Sequence, residues 1–128
     1  MNHKYPKSEK LKSKNTIDLL FSKGKSVSKY PLRLVYVAVE KEGESDIQVG
    51  VSVSKKYFKK AVDRNYYKRV LRETYRLNKH IIQESINDSY ALMFFYQSSD
   101  RLTYAEIHEK TIQLFEKFKT QIMSEKEN

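Results

Sequence analysis

Ten lysines and arginines fall between Lys55 and Lys79, against only Asp63 and Glu73. Cations at this density suit one kind of chemistry, charge-assisted hydrogen bonding to the oxygens of a polyanion. Their spacing is ordered. At 3.6 residues per turn, Arg64, Lys68, Arg69, Arg72, Arg76 and Lys79 fall within an arc of about 140°. Val62, Tyr66, Tyr67, Val70, Leu71, Leu77 and Ile81 fall opposite. A helix predicted over 60–84 would dock one face on a core and present a cationic stripe on the other. Charge runs are most often solvated faces. Here two carboxylates are too few to neutralise the stripe by intrahelical pairing, which points to an external anion. A membrane surface would need large apolar side chains left over for insertion, and the core claims them. Nucleic acid is the better match. Asn65 is the main base-reading candidate, so phosphate contacts dominate. Ten Tyr and six Phe add stacking surface, which favours RNA over DNA.

Other chemistry is poorly supplied. Without Cys there is no disulfide and no thiolate metal site. His3, His80 and His108 are scattered, and no carboxylate pair stands in an apolar setting suited to acid–base work. No glycine-rich phosphate loop and no metal-ligand spacing is present. No catalytic residue and no metal ligand is therefore assigned. A stand-alone nuclease would need reacting groups that the sequence does not display.

The elements that must position the stripe are legible in outline. At 128 residues the chain is expected to form one domain. Residues 1–14 read as a flexible basic arm, 15–123 as the folded domain and 124–128 as a frayed tail. Asn15 offers an N-cap, with Asp18 in the first turn. Ile17, Leu20 and Phe21 mark one face of a short helix, and Gly24 is placed to stop it. Leu32–Val39 and Ile47–Ser54 read as strands, most simply a hairpin across the polar turn Glu42–Asp46. Tyr90–Tyr96 is continuously apolar, as a central strand buried on both faces would be. Thr103 and Glu106 form a capping box for a last helix with Ile107, Thr111, Leu114, Phe115, Phe118 and Ile122 on its inner stripe. The order is α-β-β-α-β-α, an α+β domain.

The net charge of +9 is uneven. Residues 1–30 carry eight lysines against Glu9 and Asp18, and the stripe carries most of the rest, while 31–54 and 80–128 are mildly acidic. Two basic segments on an acidic remainder read as a binding footprint. No apolar run approaches the roughly 20 residues of a membrane span, and no secretory signal is visible. The expected location is cytoplasmic.

The residues also match a family. Ser52-Val53-Ser54-Lys55-Lys56 followed by Ala61-Val62-Asp63-Arg64-Asn65-Tyr66-Tyr67-Lys68-Arg69-Val70-Leu71-Arg72-Glu73 resembles the signature of the bacterial ribonuclease P protein subunit. Flanking elements agree in order: Lys10-Leu11-Lys12, Leu20-Phe21-Ser22-Lys23-Gly24, Leu102-Thr103-Tyr104 and Leu114-Phe115. The resemblance implies a small two-layer α+β sandwich with a left-handed β-α-β crossover, like the second domain of ribosomal protein S5. It implies a protein that binds the catalytic RNA of ribonuclease P and the 5′ leader of precursor tRNA. The holoenzyme removes that leader with Mg²⁺ bound mainly by the RNA. A monomer in a 1:1 complex with the RNA is expected, with no DNA or membrane partner. The alternative is a generic structured-RNA-binding or ribosome-associated protein with no processing role.

Carried onto this chain, the catalytic-RNA set is Lys55, Lys56, Lys60, Arg64, Asn65, Lys68, Arg69, Arg72 and Arg76. The leader cleft, between the first helix and the sheet, takes Ile17, Phe21 and Tyr36. Lys10, Lys12 and Lys14 form the basic arm. Tyr66 stands where the family usually has Arg, and Ile17 where an aromatic is common.

Overall fold

The computed structural model describes Tyr5 and residues 9–40 and 46–126. The remainder of the predicted arm, most of the predicted 42–46 turn and the last two residues lie outside them. The elements are α1 (Lys14–Lys23), β1 (Lys25–Lys29), β2 (Leu32–Val39), β3 (Ile47–Val53), α2 (Ala61–Gln83), β4 (Ser89–Tyr96) and α3 (Tyr104–Lys126).

The sheet order is β1-β2-β4-β3. β2 and β3 are thus not a hairpin, contrary to the sequence-based expectation. β4 lies between them, antiparallel to β2 and parallel to β3. The reason is burial. Leu92, Phe94 and Tyr96 are each at most 1% exposed on the helix-covered face, and the long apolar run suits an interior strand flanked on both edges. The expected burial on both faces holds only in part, since Ala91 is buried on the other face but Met93 and Phe95 are half-buried there. The hairpin partner of β2 is β1, across the Tyr30–Pro31 turn, whose peptide bond is cis. β1 went unread because Lys-Ser-Val-Ser-Lys buries only Val27. β3, α2 and β4 form a parallel β-α-β unit.

α2 and α3 pack on one sheet face over a core that includes Leu34, Leu92, Phe94, Tyr75, Phe115 and Phe118. α1 partly covers the other face, where Leu20 packs on Val35 and Ala91. Phe58 stacks on Tyr67 at 4.7 Å, and Tyr67 lies 4.7 Å from Tyr96, so an aromatic column fixes the start of α2 on the sheet.

The ends of the helices follow local chemistry. The capping box of α3 forms as expected, with Thr103 N–H donating to Glu106 Oε1 at 2.9 Å and Glu106 N–H to Thr103 Oγ1 at 3.2 Å. The cap of α1 is Ser13 rather than Asn15: its backbone is extended and its Oγ accepts from Thr16 N–H at 3.4 Å. Gly24 ends α1 without a left-handed turn. A Cβ there would stand 2.2 Å from the Leu20 carbonyl oxygen, so close approach makes glycine necessary.

Both expected loose ends are held in part. Glu9 is 7% exposed, and its carboxylate accepts from Lys79 Nζ and from the Tyr75 hydroxyl, each at 2.8 Å. Lys10 bridges Val49 on the outer edge of β3, and Leu11 N–H donates to Val49 O at 3.1 Å. Residues 9–12 therefore form a strap across the sheet edge. At the other end α3 continues to Lys126, and Glu125 accepts from Lys25 Nζ at 3.0 Å and from the Tyr36 hydroxyl at 3.1 Å. Patterns rich in Lys and Glu do not reveal a single buried carboxylate.

Candidate nucleic-acid interface

The stripe begins in the turn before α2. Ser54 O accepts from the N–H groups of Tyr57 and Phe58, at 3.1 and 3.2 Å, and Ser54 Oγ accepts from Lys56 N–H at 3.1 Å. This compact turn leaves Lys55, Lys56, Lys59 and Lys60 exposed. Arg64 reaches back into it. Its Nη1 donates to Phe58 O at 2.9 Å and to Lys59 O at 2.7 Å. Arg64 is half-buried and splints the turn onto the helix. Asn65, Arg69 and Arg72 are exposed, and Lys68 is half-buried beside them. Among the described residues Lys68, Arg69 and Arg72 make no ion pair.

Toward its C-terminal end the helix treats its cations differently. Arg76 grips Glu73 through Nη2 at 2.5 Å and Nε at 3.2 Å. That hydrogen bond holds the Glu73 carboxyl below its ordinary range. Lys79, which the wheel places mid-stripe, is 2% exposed and points inward to Glu9. The other acid of the helix, Asp63, is held by Arg101 at 3.1 Å, whose hydrogen bond lowers the Asp63 carboxyl. The Arg101 guanidinium lies 5.1 Å from the centre of the Phe58 ring. Arg101 was missed because a lone arginine in a loop carries no period. With both acids of α2 engaged, the exposed field along Lys55, Lys56, Lys60, Lys68, Arg69 and Arg72 is positive.

The second surface is the sheet face only partly covered by α1. Ile17 is half-buried there. Phe21 is 65% exposed and meets Phe95 edge-on at 6.4 Å. Val37, Met93 and Phe95 are partly buried on this face, packed against Leu20, Val35 and Ala91. Tyr36 does not belong to this cleft. It is 2% exposed on the opposite face, packed edge-on against Phe118 at 4.9 Å, with its hydroxyl between Gln121 and Glu125. Burial is the main reason its phenol is pushed up to about 12. Adjacent strand residues face opposite ways, so an alignment one residue out of step changes the face. Phe95 is the aromatic that faces Phe21, and the unbroken apolar run of β4 hid its parity.

The family model described as Ribonuclease P matches residues 5–119. The chain belongs to the ribonuclease P protein family. It is similar to the ribonuclease P protein component of Porphyromonas gingivalis, 38% identical over 109 residues, covering 84% of this chain and 80% of that one. The component from Dictyoglomus turgidum is 31% identical over 113 residues, covering 88% and 91%. The ribonuclease P protein of Thermotoga maritima superposes with a TM-score of 0.67 at 24% identity, covering 85% of this chain and 96% of that one, and so shares the fold.

The predicted residues of this chain are not all brought together. Lys55, Lys56 and Lys60 are exposed in and just after the turn, and Asn65, Arg69 and Arg72 are exposed along α2 with Lys68 half-buried among them. Arg64 and Arg76 adjoin them but are engaged by the turn carbonyls and by Glu73. Phe21 sits with Phe95 on the open sheet face, and Ile17 is half-buried one turn earlier on α1. Lys10 and Lys12 are exposed on the strap, and Lys14 is the exposed first residue of α1. Tyr66, where the family usually has Arg, is 42% exposed, with its ring edge-on to Tyr67 at 5.0 Å. No helix among the described residues is long and apolar enough to cross a membrane.

Proposed function

We propose that this chain is the protein subunit of ribonuclease P that binds the catalytic RNA through the α2 stripe and the 5′ leader of precursor tRNA through the Phe21–Phe95 face. The observation that carries this reading is the row of exposed Arg69 and Arg72 with half-buried Lys68 beside them, set along a helix packed on the core and left without carboxylate partners among the described residues. A rigid row of cations releases counterions when it meets a phosphate backbone, and its rigidity lowers the entropy lost on binding. The Phe21 and Phe95 rings, with Ile17 beside them, offer sequence-tolerant stacking to an unpaired strand, as a variable leader requires.

In this reading the protein orients and the RNA reacts. No Mg²⁺ step is assigned to the residues of this chain. The Mg²⁺ of the holoenzyme belongs to the RNA. The chain lowers the Mg²⁺ requirement by adding fixed positive charge beside the phosphates that the metal would otherwise screen. One protein pairs with one RNA.

The test is 5′-leader removal from a precursor tRNA at low Mg²⁺, with bacterial ribonuclease P RNA alone, this protein alone, and both. Cleavage only with both is expected. Tight RNA binding without stimulation would point instead to a general structured-RNA-binding protein. Cleavage by protein alone would place an active site in the chain.

A further inference from the structure

The strap and the stripe meet at a third surface. A groove of about 440 Å³ opens at the outer edge of β3. Lys10 and Lys12 line it from the strap and Arg72 from α2, with Tyr5, Gly50 and Met93 between them. Among the described residues no carboxylate lines it, and the acid of the strap, Glu9, is turned inward onto Lys79 and Tyr75.

This groove is built by specific contacts rather than by a loose basic tail. The Glu9–Lys79 pair is buried on both sides, with side chains 9% and 2% exposed. The Tyr5 ring packs edge-on against Tyr75 at 5.3 Å, and its hydroxyl donates to Val49 O. Leu11 adds its own N–H to that same carbonyl. Lys10 Nζ stands 5.7 Å from the centre of the Tyr5 ring. A buried carboxylate is strongly unfavourable unless paired, so this contact fixes where residues 10–12 run. Gly50 keeps the floor low, since a Cβ there would come within 3.2 Å of the Met93 thioether. Gly50 pairs with Met93, and Ser52 with Phe95, so the groove opens onto the same sheet face as Phe21.

We propose that this groove seats a phosphodiester of single-stranded RNA as the strand leaves the open sheet face and crosses the β3 edge toward α2, and that the buried Glu9–Lys79–Tyr75 contact holds the seat together. Lys10, Lys12 and Arg72 supply the charge-assisted donors, and the Tyr5 ring and Met93 supply the apolar wall that a sugar or base requires. The inference rests on the reading that the strand is a precursor leader. Glu9 is then a positioning residue: it touches no RNA and acts by aiming its neighbours.

The test uses the reconstituted holoenzyme and two precursors, one with a long leader and one with a single-nucleotide leader. Lys12→Ala should weaken long-leader binding about fivefold, with a salt slope lower by about one, and leave the short-leader substrate unchanged. Lys12 and Arg72 share one seat, so Lys12→Ala in an Arg72→Ala background should lose less than twofold. Glu9→Gln should reproduce the Lys12→Ala defect. Glu9→Leu with Lys79→Met, an apolar pair that keeps the strap packed, should restore long-leader binding. The rescued pair keeps the test meaningful if Glu9→Gln unfolds. Additive losses, equal losses with both leaders, or a defect that the apolar pair leaves in place would overturn the proposal. Failure of the wild-type protein to stimulate cleavage would instead overturn the proposed function. The Lys12–Arg72 cycle, run on a single-stranded RNA oligonucleotide, would then decide the groove on its own.

Discussion

The middle and the C-terminal end of α2 carry cations in the same arc of the helix and use them in opposite ways. Lys68, Arg69 and Arg72 meet no carboxylate among the described residues, whereas Arg76 is gripped by Glu73 and Lys79 is buried on Glu9. The helical period predicts the angle of a side chain and not its partner. Glu73 is local and was visible at i−3. Glu9 lies 70 residues away in sequence and became a partner only when the strap crossed the sheet edge. A cationic stripe is therefore a binding surface only over the stretch that the fold leaves unpaired.

Breaking the paired end should have the largest effect on stability. Lys79→Ala strands the Glu9 carboxylate in the core and should destabilise the fold by about 3–5 kcal/mol, read from urea or thermal unfolding. An unfolding midpoint within a degree of the wild type would refute the buried pair. The unpaired middle should respond in the opposite sense. Arg69→Ala with Arg72→Ala should leave the midpoint nearly unchanged, weaken catalytic-RNA binding by roughly 2 kcal/mol and reduce the salt slope by about two. An unchanged slope would remove the stripe from the interface.

Arg64 tests the boundary between the two behaviours. Arg64→Met removes two hydrogen bonds to turn carbonyls, so a loss of about 1–2 kcal/mol of stability is expected. RNA affinity should fall through the displaced turn, with the salt slope little changed. A slope reduced by a full unit and an unaltered midpoint would make Arg64 a phosphate contact instead. Phe21→Ala should act more narrowly, weakening precursor binding by about 1 kcal/mol and mature tRNA not at all. Equal weakening of both would dissolve the cleft.

High pH offers a final, gentler probe of the buried phenols, of which only Tyr5 and Tyr75 adjoin the paired end. The Tyr5 and Tyr36 phenols are pushed up to about 12, mainly by burial, and Tyr75, beside Glu9, is also raised. A phenol whose folded pKa lies above its unfolded value adds stability that is complete below the unfolded pKa near 10. That stability is lost as pH rises through the folded value. The unfolding free energy should therefore fall between pH 10 and 12, and Tyr36→Phe should flatten part of the decline.

How much the sequence disclosed follows the range of each interaction. The stripe, the capping box and the central position of β4 come from periods and spacings within one segment, and they were legible. The strand character of β2 was visible too from its β-branched and aromatic residues, yet the side on which Tyr36 fell depended on register against β4, a long-range pairing. β1 carries one buried apolar residue and so has almost no pattern of its own. The strap, Arg101 and Phe95 gain their roles from residues distant in the chain. The family signature supplied the function class, and the structure corrected which aromatic faces the cleft.

The strap has one more effect. An uncovered outer strand shows a row of unmet N–H and C=O groups to any other sheet, including that of a second copy. Lys10, Leu11 and Tyr5 engage Val49 on the outer strand β3, and β1, the opposite border, is five residues long with a lysine at each end. Both borders thus discourage sheet-to-sheet stacking of free chains. A subunit made before its RNA is available gains from this a defence against aggregation, supplied by the same residues that line the groove.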